Sequence, residues 1–403
     1  MTADLRLLAH ANRSLSRLPP VSLDPQEIER FVARREGVAQ VPGSHWRPPL
    51  EALCHDLEDK AALTPLGRIM ANGQIVGLLR ARCRAERLLA RHPAIAERRL
   101  ERPIIILGPM RSGSTRLQRL LACDRRLSFT RLFETLFPVP GRGGNGARIA
   151  ASAAVHSTLR ALNPAIQRIH PSGPLRPDEE FGFLSFAFHS GQFAVQWDVP
   201  GFVAAERRRD LSPIARELAA LLRINGWARG ETASVPVLKC PAYSDMAEAL
   251  LETFPDARLI RLSRDPAKVV ASSASLVVEQ RRIHSDAVDP HAVGAEWLAR
   301  TAEREARLDE LLERRRDVPV FDLPYGAMNA DWSGVMHRLY RFLRLPLDPP
   351  TLEAMRRYQR KAKAHRGHRY SLEEFGLDED RVSAAFLQSD PAPVTARSMI
   401  AAK

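Results

Sequence analysis

The chain of 403 residues is short of lysine. Only Lys60, Lys239, Lys268, Lys361, Lys363 and Lys403 occur, although 60 lysines and arginines together give a net charge of +13. Cysteine is also scarce. Cys54, Cys83, Cys123 and Cys240 lie far apart with no C-x-x-C pairing, which excludes a disulfide framework and a cysteine-built zinc site and points to a reducing compartment. No run of about 18 apolar residues occurs, so no membrane-spanning helix is expected. The opening "MTADLRLLAHANRSLSRL" lacks the uninterrupted apolar core of a signal peptide. Together these absences give a cytoplasmic expectation. The positive charge has no single tail either. Arginine is spread along predicted helices beside glutamate, as in "EWLARTAEREARLDELLERRR" at 296–316. That pattern reads as solvated helix faces and argues against nucleic acid as the partner. The charge excess still favours small anionic partners such as nucleotides, or acidic lipids and substrates.

An apolar fraction of 45% is enough for a proper core. Residues 1–100 read as an N-terminal helical extension. Within it, 65–95 carries Ile69, Ile75, Leu78, Leu79, Leu88 and Leu89 at helical spacing. A packing layer or lid, rather than a catalytic part, is the expected role. From residue 101 the pattern alternates. Strands are expected at 103–107, 235–240, 257–264 and 318–323. Helices are expected at 114–123, 211–225, 244–253, 266–282, 291–315 and 334–343. This alternation predicts an α/β domain over 101–403, with a P-loop-like parallel sheet flanked by helices and ligands at the carboxyl ends of the strands. The Gly-rich stretch 138–156, "PVPGRGGNGARIAASAAVH", follows no strand directly and reads as an ordinary loop.

The most informative stretch is "IIILGPMRSGSTRLQRLL" at 104–121. It fits the phosphate-loop frame at Gly108, Gly113 and Thr115, but Ser114 stands where a nucleotide triphosphatase has lysine. Backbone N–H groups at the curl and helix start converge on an anion site. Arg111, Ser112, Ser114 and Thr115 can add side-chain donors. A plain strand–turn–helix using glycine for geometry is the alternative. Loss of the lysine argues against metal-dependent triphosphate hydrolysis and suits a group without a γ-phosphate.

This loop resembles the 5′-phosphosulfate loop of the sulfotransferases, in particular the bacterial branch related to the tyrosylprotein sulfotransferases. It departs at Met110, where the family usually has proline. The resemblance implies 3′-phosphoadenosine 5′-phosphosulfate (PAPS) as donor, a hydroxyl or amine acceptor and no required metal. It places Arg111, Ser112, Gly113, Ser114 and Thr115 at the 5′ end. In "LIRLSRDPAKVVASSASL" (259–276) it implies Arg264 and Ser272 as the 3′-phosphate anchor. Asp265 and Pro266 suit the start of the helix between them. The segment 361–377 resembles the family's closing element at Arg366, Gly367 and His368, or is a basic surface loop.

For the chemistry, "RLFETLFP" (131–138) matches the family's base segment at Glu134, whose apolar neighbours would raise its pKa. His170, in "RIHPSGPLRPDEEFGFL", is the alternative base. Glu179 is expected to serve only the start of a helix, and Glu180 is left open. Arg111 and Lys239, the latter in "VLKCPAY", would stabilise the transferring sulfuryl group, while Tyr243 stands where the family has histidine. Two other functions remain open: a P-loop nucleotide or small-molecule kinase, and a non-catalytic nucleotide-binding scaffold. The acceptor could be a carbohydrate, lipid, peptide or small alcohol.

Overall fold

The computed structural model describes residues 3–165, 171–231, 235–362 and 371–388. Its centre is one parallel sheet of five strands: β1 (Ile104–Leu107), β2 (Leu127–Phe129), β3 (Val235–Lys239), β4 (Arg258–Ser263) and β5 (Val320–Pro324). Their spatial order is β2-β3-β1-β4-β5. In register, Ile104 of β1 pairs with Val237 of β3 on one side and Arg258 of β4 on the other. All four residues of β1 are buried, because side chains alternate between two covered faces. Ile105 and Leu107 join the core that contains Leu238, Leu259 and Leu218. Ile104 and Ile106 join the opposite core with Leu117, Leu120 and Val335. The chain leaves β1 on one side, returns through β3, and then crosses to β4. β1 therefore sits at the point where strand order reverses, which is where such sheets bind ligands.

Four of the five strands lie where the sequence predicts them. β2 has only three residues and no periodicity to reveal it. The flanking helices also match, because their starts are written in local chemistry. Asp265 accepts from the Ala267 N–H at 3.0 Å and Pro266 opens the helix Pro266–Arg281. The stretch 138–156 is corrected: most of it belongs to a helix, Gly144–Leu162. Its two glycines fall in the first turn, and six alanines, the strongest helix formers, follow.

Of the first four helices, Ala3–Leu15, Pro25–Glu36, Arg47–Asp59 and Pro65–Arg91, the last three share a core with a later segment. Leu50, Leu53, Ile75 and Leu79 pack with Phe188, Phe193, Trp197 and Phe202. Thr64 caps the helix Pro65–Arg91 by accepting from the Gly67 N–H at 3.1 Å. The same turn is fastened to the segment after Pro266–Arg281: the Thr64 N–H donates to the His284 carbonyl at 2.9 Å. A Cβ on Gly67 would lie 2.1 Å from that carbonyl oxygen, so only glycine allows the approach.

Candidate active site

β1 ends at Gly108, with φ +119°. A Cβ there would lie 2.4 Å from the Leu262 carbonyl oxygen on β4, so the turn requires glycine. The Gly108 N–H donates to Ser244 Oγ at 3.1 Å. The chain then curls through Arg111, at φ +66°, and Gly113, at φ +90°, into the helix Ser114–Leu121. A left-handed non-glycine residue costs roughly 1–2 kcal/mol. At Arg111 two bonds hold the conformation. Its Nε donates to Ser272 Oγ at 2.9 Å. Its carbonyl oxygen accepts from Arg264 Nη1 at 2.6 Å. The sequence-predicted anchors Arg111, Arg264 and Ser272 are therefore one connected group. Tyr325, just after β5, joins them unanticipated. The Arg264 guanidinium lies 4.2 Å from its ring centroid, and the ring edge lies beside Gly113.

Three buried polar atoms around this loop have no hydrogen-bond partner: Ser112 Oγ, Ser273 Oγ and Arg264 Nε. Buried polar groups are almost always satisfied. Orphan donors beside a helix start with outward N–H groups fit a bound polyanion. The residues present thus suit the nucleotide that the sequence implies.

β3 delivers Lys239, which is 1% exposed. Its Nζ lies 3.4 Å from Thr115 Oγ1 and 2.5 Å from Glu179 Oε1. A buried cation from the neighbouring strand therefore stands beside the loop that carries serine at position 114. Glu179 does more than begin a helix, which corrects the expectation for it. Glu180 is wholly buried. Its Oε2 accepts from the Lys239 backbone N–H at 2.8 Å and from the Tyr243 hydroxyl at 3.0 Å. Burial pushes the Glu180 carboxyl up to about 8 against the opposing pull of these bonds, so it holds its proton at neutral pH. Tyr243, in place of the family histidine, thus serves Glu180.

Glu134 is buried at 0% exposure, but its carboxylate meets polar partners. Oε1 accepts from Arg229 Nη1 at 2.6 Å, and Oε2 from the Arg131 N–H at 2.8 Å. Arg229 is held in turn by Glu231 and Ser128. His170, Arg366, Gly367 and His368 lie outside the described residues.

A cavity of about 630 Å³ opens beside Glu179, within the range of small-molecule sites. Met110, Thr135, Leu136 and Phe181 line it, as does Glu179; Glu134 is not among the lining residues. Its other wall is the helix Pro65–Arg91, through Met70, Gly73, Gly77 and Leu78. A Cβ on Gly73 or Gly77 would meet nothing within 4 Å. Packing therefore does not require either glycine, and each costs its helix about 1 kcal/mol relative to alanine. They widen the cavity. The N-terminal extension, expected to be a packing layer or lid, is thus a wall of the site. The spacing of Gly73 and Gly77, four apart on one helical face, was the available signal.

The comparisons with known proteins agree with this geometry. Residues 103–349 match the Sulfotransferase family. Omega-hydroxy-beta-dihydromenaquinone-9 sulfotransferase Stf3 of Mycobacterium bovis and of Mycobacterium tuberculosis is 26% identical over 283 residues, covering 67% of this chain and 70% of that protein. The fold is that of sulfotransferase STF1 from Mycobacterium tuberculosis, with a TM-score of 0.78 and 23% identity over 90% of this chain and 98% of that one. Sulfotransferase STF9 from Mycobacterium avium gives the same TM-score at 22% identity, covering 90% and 95%. With more than half of its length matched, and with the loop, the second anchor and the strand-borne lysine gathered at one sheet edge, this chain belongs to the sulfotransferase family.

Proposed function

We propose that the chain transfers a sulfuryl group from PAPS to the hydroxyl of an elongated, apolar, lipid-like acceptor seated in the cavity. The observation that carries the donor assignment is the hydrogen-bonded chain Arg264–Arg111–Ser272. It brings the two sets of donors together, which supports one site in which both ends of one nucleotide would be held. Arg111, Ser112, Gly113, Ser114 and Thr115 would hold the 5′-phosphosulfate, and Arg264 and Ser272 the 3′-phosphate. PAPS supplies a sulfuryl group already activated on a phosphate.

Lys239, beside Thr115, places a cation where negative charge grows on the transferring oxygens. As Lys239 turns to that charge, Glu179 is released from its ion pair and accepts the acceptor's proton. The new bond from sulfur to the acceptor oxygen forms in line as the bond to the 5′-phosphate breaks. Glu134, the sequence expectation for the base, takes a positioning role: with Arg229 it anchors the segment that carries Leu132 and Thr135 to the cavity wall. The acceptor class rests on the apolar lining and on the similar Stf3, whose name specifies an omega-hydroxylated menaquinone. The test is ³⁵S-labelled PAPS with an omega-hydroxylated polyprenyl compound and a short, water-soluble alcohol analogue. Label should move to the alcohol oxygen of both. Phosphorylation of the alcohol by ATP with Mg²⁺, and no movement of label, would establish the kinase reading instead.

A further inference from the structure

The helix Gly144–Leu162 has an unusual outer surface. It contains no Asp or Glu, and no charged side chain lies between Arg148 and Arg160, apart from the titratable His156. Ala147, Ala150, Ala151, Ala153 and Ala154 are exposed. A solvent-facing helix in a chain with 27% charged residues is expected to carry charge on its outer face. Val155 is 37% exposed and also lines the cavity, so the cavity borders this helix. The helix Ala3–Leu15 packs against this helix and against Pro65–Arg91. Those two neighbours add Leu7, 46% exposed, and Ile69, 37% exposed. Beneath them Leu8, Leu66, Met70 and Leu159 form a small core that holds the three helices together. Among the described side chains of Ala3–Leu15 and Gly144–Leu162, Arg13 and Arg160 are exposed cations.

We propose that this three-helix face docks on the surface of an anionic lipid bilayer, with the cavity mouth turned toward the lipid. The proposal rests on the lipid-like acceptor assigned above: a sparingly soluble acceptor is reached from its own phase. An apolar face flanked by cations, on a chain of net charge +13, gains from shallow apolar insertion and from attraction to anionic headgroups together. A second copy of the chain is the poorer occupant, because it would bring the same cations face to face. No described helix is long and apolar enough to cross a membrane, so contact at the interface is the mode that fits.

The test uses the full chain and the pair Ala151→Glu with Ala154→Glu. Neither residue lines the cavity, and glutamate is a good helix former, so the fold is kept. Co-sedimentation is measured with phosphatidylcholine vesicles, with and without about one third phosphatidylglycerol. The native chain should partition at least about tenfold better onto the anionic vesicles, and salt should weaken this. The glutamate pair should lose about tenfold or more, and an Ala151→Lys, Ala154→Lys pair should lose less. Turnover of the short soluble alcohol should be unchanged in both. No partition of the native chain, or partition untouched by the glutamates, overturns the proposal. So does a native dimer that the glutamates convert to monomer in analytical ultracentrifugation, which would assign the face to a second copy. If the soluble alcohol is not sulfated by the native chain while vesicles are bound, the proposed reaction fails and the docking stands.

Discussion

The strand-end loops proposed as the donor cradle and the cavity proposed for the acceptor meet at the Lys239–Glu179 ion pair, yet they are built in different ways. The cradle hangs on adjacent strand ends: Gly108 to Thr115 follow β1, Lys239 ends β3, Arg264 follows β4 and Tyr325 follows β5. Each side chain is placed by a paired sheet and a short turn, with bonds of 2.6 to 2.9 Å between Arg264, Arg111 and Ser272. The cavity instead collects short pieces of segments far apart in the chain, from Met70 on one helix to Gln280 on another, and encloses about 630 Å³ between them. A rigid edge suits a constant ligand that must be held for in-line chemistry. A wall of separate helices can change width at one residue without disturbing the sheet.

That contrast can be broken or sharpened by substitution. The largest effects belong where the two regions meet. Glu179→Gln should lower turnover by about 10²–10⁴-fold with bisphosphate binding little changed, measured by steady-state kinetics and calorimetry. Glu134→Gln should instead keep turnover within about tenfold of the native chain while lowering stability by about 3 kcal/mol, through loss of the charge facing buried Arg229. The opposite ranking of the two variants would return the base to Glu134. Lys239→Met should cost about 10²–10³-fold in kcat, with much less change in KM for the acceptor.

On the cavity side, Gly77→Leu should lower kcat/KM for a bulky prenyl alcohol by about 10–100-fold and spare a short one, because the glycine leaves open space rather than serving packing. It should also raise helix stability slightly. A uniform loss across acceptors would show that Gly77 does not set the width. The last test concerns Glu180. Its folded carboxyl titrates at about 8 against an ordinary value of 4.5. The stability it contributes is therefore full below about pH 4.5 and is lost as pH rises toward about 8. Glu180→Gln should flatten that decline in a series of thermal melts, and an unchanged slope would contradict the buried proton.

The same contrast explains what the sequence revealed. Strand β1 and the Gly108 turn were legible because each is local, whereas Arg111, Arg264 and Ser272 were singled out by the family resemblance and are joined in the structure by hydrogen bonds. Lys239 stood out through the rarity of lysine. What escaped depends on long-range placement. The ion pair of Glu179 with Lys239 joins side chains 60 positions apart, and nothing near Glu179 announces it. Glu134 has the apolar neighbours expected, but its partner Arg229 lies 95 positions away. The alanine-rich run after Gly146 was masked by the glycines before it, so helix propensity was underweighted there. The spacing of Gly73 and Gly77 marks one helical face, but what lies across from it, Leu136, Leu159 and Phe181, is set by long-range placement.

The most direct test of the account is calorimetry of 3′,5′-ADP against 5′-AMP on the native chain and on Arg264→Ala. If the two cradles hold one nucleotide, the native chain should prefer the bisphosphate by about 10–100-fold or more, from charge-assisted bonds to the 3′-phosphate, and Arg264→Ala should erase most of that preference. Equal affinities for the two nucleotides on the native chain would contradict it.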